Sequence, residues 1–188
     1  AVVYSETTRR IADAIHAQDP SLLPATNQPG RPLAMQIPDK STPEGLTALV
    51  TTMGVDSRVD ENGNYWLISY AIAGPAVEGN TAAQLAARQM AYERARAGLR
   101  TYMGAIATMK SLTDLDSKTD VFGKGDEAYT FNNNFDYQVK SASESASLVG
   151  AVDGEEFAAT HPETGNEVIG AYVKWSCLLY TSPSPRDQ

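Results

Sequence analysis

The sequence predicts an α+β domain in which a hairpin and later antiparallel strands form one sheet packed by a long alanine-rich helix. Three observations point there. Asn62-Gly63 lies between two strand-like runs. The stretch from Thr81 to Met109 contains no proline and is rich in alanine. Asn166 to Ser176 alternates in the strand period, with Ile169, Ala171, Val173 and Trp175 opposite Val168, Gly170, Tyr172 and Lys174. The order hairpin, helix, strands lacks the βαβ alternation of a doubly wound sheet.

In chain order, Ser5 to Pro20 predicts a short amphipathic helix with Ile11, Ala12, Ala14 and Ile15 near one face and Asp19-Pro20 as its stop. Half of the ten prolines follow at 24, 29, 32, 38 and 43, so Ser21 to Ser41 reads as a linker or an irregular wrap. Thr42-Pro43-Glu44 has the form of an N-cap with proline at N1, opening a helix through Leu46, Leu49 and Val50 to Met53, with Gly54 as its C′ residue. Beyond the Asn62-Gly63 turn, Tyr65 to Ala73 is apolar on both faces and predicts a central strand.

The long helix opens with capping-box spacing at Thr81 and Gln84. Leu85, Tyr92, Leu99 and Ile106 recur every seven residues, with Ala95, Tyr102 and Met109 beside them, and predict the buried stripe. A coiled-coil seam is the alternative to one helix lying across a sheet. Ser111 to Asp136 turns polar and predicts an irregular excursion with at most short elements. Tyr137 to Phe157 predicts one or two strands, with Ser141 to Ser147 as an exposed strand or edge, and His161 to Val168 a turn into the last strand. The resulting organisation is an N-terminal helix plus Pro-rich linker over 1–41, an α+β domain over 42–176 and a tail over 177–188.

That tail breaks the strand pattern. Cys177 to Asp187 resembles a one-frame translation of a transposase-library sequencing adapter, which implies a non-native read-through with the natural chain continuing differently beyond Ser176. A natural Ser/Pro-rich tail is the alternative. With the tail set aside no cysteine remains, so no disulfide, cysteine-based zinc site or thiol nucleophile is expected. Ala1 in place of methionine reads as a processed end or a truncation.

Composition limits the function classes. Hydrophobic content of 42% fits a globular chain. A net charge of −8 argues against binding nucleic acid through phosphate and against docking on anionic lipid. No apolar run approaches the roughly 20 residues of a membrane span. Abundant short polar residues and few lysines lean toward an extracytoplasmic bacterial protein.

The chemical motifs tested give no catalytic, cofactor-binding or metal site. Asp114, Asp116, Asp120, Asp126 and Glu127 invite a calcium reading, but an EF-hand counted from Asp114 meets Lys118 at position 5 and Thr119 at position 6. Asp60-Glu61-Asn62-Gly63-Asn64 has oxygens at 1, 3 and 5 but Tyr65 at 6; both read as solvated turns. Gly123-Lys124-Gly125 lacks the remainder of a phosphate loop, and His16 and His161 lack metal spacing. Arg88, Arg94, Arg96 and Arg100 are candidates for a partner surface, against the plainer reading of a solvated helix face with stems over apolar neighbours.

Tyr65 to Ser176 resembles a bacterial envelope-lipoprotein superfamily that includes the N-terminal domain of flagellar assembly protein T. The resemblance lies in the strand Tyr65–Ala73, the helix "AARQMAYERARAGLRTYM" within Ala82–Met109, the step Leu148-Val149-Gly150 and the strand Gly170–Trp175. It implies an extracytoplasmic, non-enzymatic assembly role. The expectation is therefore a non-catalytic protein-interaction or assembly module of a bacterial envelope, in the periplasm or cell envelope, with a possible protein partner, no nucleic acid, no membrane span and no cofactor. The alternative is an enzyme whose carboxylate site lacks a motif and is completed by a further C-terminal portion.

Overall fold

The computed structural model describes residues 10, 11, 13, 14, 17, 30–116, 139–144, 148 and 150–176. Its elements are α1 (Leu33–Gln36), α2 (Pro43–Thr51), β1 (Gly54–Val59), β2 (Tyr65–Ala73), α3 (Thr81–Asp116), β3 (Ala151–Thr160) and β4 (Glu167–Trp175). Two compact units divide the chain: 25–99 with 148–188, and 1–24 with 100–147.

The first unit is built on one antiparallel sheet of order β1-β2-β4-β3, and the class is α+β as expected. β2 lies between β1 and β4 and is packed on both faces, which accounts for its two apolar sides. On one face Ile68, Tyr70, Phe157, Val168 and Tyr172 pack with Leu49 and Val50 of α2, and Leu33 and Ile37 lean against them. On the other, Ala73, Ile169 and Ala171 meet Ala87 and Ala91 of α3, with Tyr92 alongside. Helices thus cover both faces of the four strands. Leu49 and Val50 are almost fully buried, each worth about 1.5–3 kcal/mol of transfer free energy.

Local chemistry sets the element ends. The Thr42 hydroxyl accepts from Gly45 N–H at 3.0 Å and donates to the Asp39 carbonyl at 3.1 Å, so the expected cap holds. The helix stops at Thr51, earlier than Met53, and Gly54 opens β1 at φ 94° rather than serving as C′. The start of α3 also differs from the capping-box expectation. Asn80 is the cap, its Oδ1 accepting from Ala83 N–H at 3.0 Å, while Gln84 Nε2 donates to Glu167 at 2.6 Å across to β4.

The buried stripe of α3 is only partly the one predicted: Leu99, Ile106 and Ala95 are buried as expected, but the row runs differently. Ala87, Ala91, Ala95, Leu99 and Met103 are buried, a four-residue spacing, whereas Leu85 is 53% exposed and Tyr92 half-buried. Four residues fall about 40° past one helical turn, so this row inclines across the helix as a ridge. Its alanines let the backbone come close to the strands, which larger Leu and Tyr side chains would prevent. Gly98 extends the close approach: a Cβ there would stand 2.6 Å from the buried Ser69 hydroxyl of β2.

Three further expectations change. α3 runs on through Asp116, because Leu112 to Asp116 contains no helix breaker and the polar turn signals come later. Residues 139–144 are helical rather than an exposed strand. Alternating Ser and Ala suits either period, and the Ser143 hydroxyl bonds back to the Val139 carbonyl at 2.5 Å, within the segment. Pro32 is followed by one helical turn, Leu33–Gln36, inside the stretch read as a linker or wrap. Of the N-terminal helix, residues 10, 11, 13, 14 and 17 are helical, with Ile11 and Ala14 buried. His16, Asp120, Gly123-Lys124-Gly125, Asp126, Glu127 and the tail 177–188 lie outside the described residues. In the second unit Met103 and Ile106 are buried, and a Cβ on Gly104 would overlap Ser143. No helix among the described residues is long and apolar enough to cross a membrane.

Candidate functional site

The hairpin loop sequence with ligand-like oxygens closes on itself. The buried Asp60 carboxylate accepts from the backbone N–H groups of Asn62 (2.9 Å) and Asn64 (2.8 Å), from Asn64 Nδ2 (3.0 Å) and from Trp66 Nε1 (2.9 Å). Burial alone would raise its pKa; the four donors outweigh that and hold it below the ordinary carboxylate value. This carboxylate organises a turn. Among the described residues no group of three or more His, Cys, Asp or Glu side chains is placed to hold a metal ion.

The four arginines do not converge. Arg88 Nε pairs with Glu156 at 2.7 Å, and Arg96 reaches both oxygens of Asp153, at 2.8 and 2.7 Å, on β3. Arg96 also pairs with Glu93 at 2.9 Å and stands 6.0 Å over the Tyr92 ring. Arg94 turns to β2 and donates to the Ile72 carbonyl at 2.8 Å. Arg100 is exposed and belongs to the second unit. Three of the four thus fasten α3 to the sheet, two to β3 and one to β2. His161 sits in the β3–β4 loop, where its Nδ1 accepts from Glu163 N–H at 3.3 Å.

A cleft that no motif announced lies on the α2 side of the sheet. It encloses about 670 Å³ between the α1–α2 connection and β3, within the size range of ligand pockets. Phe157 and Tyr172 of the sheet, Leu49 of α2 and Ile37 supply its apolar lining; Asp39, Lys40, Ser41 and Glu155 carry the charge and polarity. Met35 projects at its edge with 75% of its surface exposed.

Its two walls are held by different devices. On the connection, Asp39 Oδ1 accepts from Ser41 N–H (2.8 Å) and Ser41 Oγ (2.7 Å). Those bonds hold the Asp39 carboxyl below its ordinary pKa. On β3, the register slips between Asp153 and Glu156, a bulge marked by Gly154. The Tyr172 ring occupies the space where a Gly154 side chain would stand, and the Tyr92 hydroxyl donates to the Gly154 carbonyl at 2.9 Å from the opposite face. Burial raises the Tyr172 phenol, an effect offset in part by a hydrogen bond from the Glu155 backbone. Lys40 spans the two walls, 3.1 Å from the Glu155 carboxylate and 3.3 Å from the Glu156 carbonyl.

Strand alternation sends Glu155 toward Lys40 and Glu156 toward Arg88, and the bulge brings Asp153 to the same α3-facing side as Glu156. Sequence reasoning missed the cleft because half of it comes from the proline-rich stretch. The available signals were Gly154 inside a strand pattern and methionine between polar turns.

No protein-family model matches the sequence, and no curated protein matches it. Among solved structures, a hypothetical protein from Francisella tularensis is similar at 20% identity with a TM-score of 0.41. The match covers 66% of this chain and 36% of that one, so the chain spans about a third of its neighbour's length.

Proposed function

We propose that the protein is a non-catalytic binding module that captures a segment of another protein in the cleft, as part of an assembly in a bacterial envelope. The observation that carries the binding reading is the cleft itself: an apolar lining, anchored walls and a protruding methionine. Methionine is flexible and polarisable and adapts to varied apolar contacts. The hydrogen bonds from Ser41 fix the Asp39 carboxylate at the cleft as a positioned charge for a partner. The envelope setting rests on the short-polar composition and on the resemblance to the envelope-lipoprotein superfamily.

A photo-crosslinking side chain placed at Met35 tests this reading in cells of the producing bacterium. Met53, 60% exposed and outside the cleft lining, is the control position. The expected outcome is an adduct from position 35 and none from position 53, recovered in the envelope fraction. Equal adducts from both positions, or none from either, would remove the reading.

A further inference from the structure

Charge around the cleft narrows what enters it; this inference rests on the binding reading above. Asp39 and Glu155 bring two carboxylates to a lining in which, among the described residues, Lys40 is the only cation, so this rim is net negative. Lys40 is already committed to Glu155 and to the Glu156 carbonyl. The Asp39 carboxylate is fixed in place by Ser41, and Glu155 remains 65% exposed despite its ion pair. The whole chain carries −8, which adds a long-range attraction for cations to the local one. The same cleft is lined by Met35 and Ile37 and floored by the buried Phe157 and Tyr172 rings.

We infer that the cleft binds a partner segment bearing a large apolar side chain beside a lysine or arginine. The apolar group lies against Met35 and Ile37, the solvent-reached part of the lining, and meets only the small uncovered edge of the Phe157 ring, displacing water from that hydrocarbon. Its cationic neighbour sits between Asp39 and Glu155, adding a second positive charge to the pair that Lys40 neutralises only in part. Apolar contact provides the affinity; the carboxylates provide selectivity against acidic segments and hasten encounter. An anionic ligand is disfavoured, because it would meet two carboxylates at close range.

Short fluorescein-labelled peptides with phenylalanine next to lysine form the probe, titrated by fluorescence anisotropy against the full chain. Two matched sets replace the lysine by glutamate or the phenylalanine by alanine. The expected result is micromolar binding of the Phe-Lys set alone, weakening as salt is raised. Met35→Ser and Glu155→Lys should each weaken it about tenfold, an effect of about 1.4 kcal/mol, with unchanged Tm because both side chains are largely exposed. Glu155→Lys should at the same time gain affinity for the Phe-Glu set, a gain that misfolding cannot produce. Equal binding of the Lys and Glu sets, indifference to both substitutions, or no binding by any set would overturn the inference. A persistent Met35-specific crosslink under any of those outcomes would leave the binding reading standing with a partner of other chemistry; its loss as well would remove both.

Discussion

Asp60 accepts four hydrogen bonds from the hairpin loop and Trp66 while almost wholly removed from solvent. Its own backbone carbonyl also receives Gly30 N–H, so the residue ties the segment before α1 to the turn. Asp60→Ala would leave several donors without an acceptor, and each buried group so stranded costs about 1–3 kcal/mol. A loss of about 2–4 kcal/mol in urea unfolding is expected, tempered by water reaching the loop. The pH dependence has a definite sign. A carboxyl whose folded pKa is depressed contributes its full stabilisation above the unfolded value of about 3.9 and loses it as pH falls through the lower folded value. Asp60→Asn should therefore flatten the acid limb of the stability curve below about pH 4 relative to the parent chain. An unchanged limb would show that the carboxylate gains nothing from its donors. Asp39 is also depressed but fully exposed, and its contribution remains in both proteins, so the comparison isolates the buried group.

At the scale of elements, α3 makes the sharpest claim, because two stripes compete for its buried face. Leu99→Ala should cost about 2–5 kcal/mol, as for other enclosed leucines. Leu85→Ala, on the exposed side, should stay within about 0.5 kcal/mol. Ala91→Leu should destabilise by about 1–3 kcal/mol through overpacking against Ile169 and Ala171, although leucine is a good helix former. Leu99 belongs to both rows, so thermal or urea unfolding of Leu85→Ala and Ala91→Leu decides between the four-residue alanine row and the seven-residue Leu/Tyr row. The same contrast shows what was legible in the sequence. Strand and helix positions were readable where patterns are local: Thr42-Pro43, the Asn62-Gly63 loop, Tyr65 to Ala73 and the final strand. The helix itself was also legible, but its face was not. Hydrophobic size favours Leu85 and Tyr92, while contact with a sheet selects residues small enough for close approach, and that depends on strands distant in sequence. The cleft was hidden for the same reason. Lys40 meets Glu155 only because the proline-rich connection folds back over β3. Gly170 belongs with these non-local choices: the Phe157 ring from the neighbouring strand fills the place of its missing side chain.

For the molecule as a whole, the sheet is assembled from two separated stretches of chain. β1 and β2 precede α3, β3 and β4 follow the intervening second unit, and the central pairing joins Leu67 to Trp175 and Ala73 to Ile169. A two-stranded hairpin is marginal by itself in water. A peptide covering Gly54 to Ala73 should accordingly lack a stable strand spectrum by circular dichroism, and a persistent one would show that the hairpin needs no β4. Refolding of the full chain should fall toward the slow end of small domains, milliseconds to seconds, because a long loop must close before its contacts form. Stopped-flow fluorescence from Trp66 and Trp175 is suited to follow it. Completion in microseconds would contradict that order of events. The pairing has a further consequence during synthesis. β2 leaves the ribosome well before β4, with apolar side chains on both sides and one row of backbone groups awaiting a partner. Throughout that interval it is a sticky edge, open to the same strand on a neighbouring nascent chain. Soluble yield should therefore depend on translation speed and chaperone supply, and a slower ribosome would lengthen the time during which β2 waits for its mate.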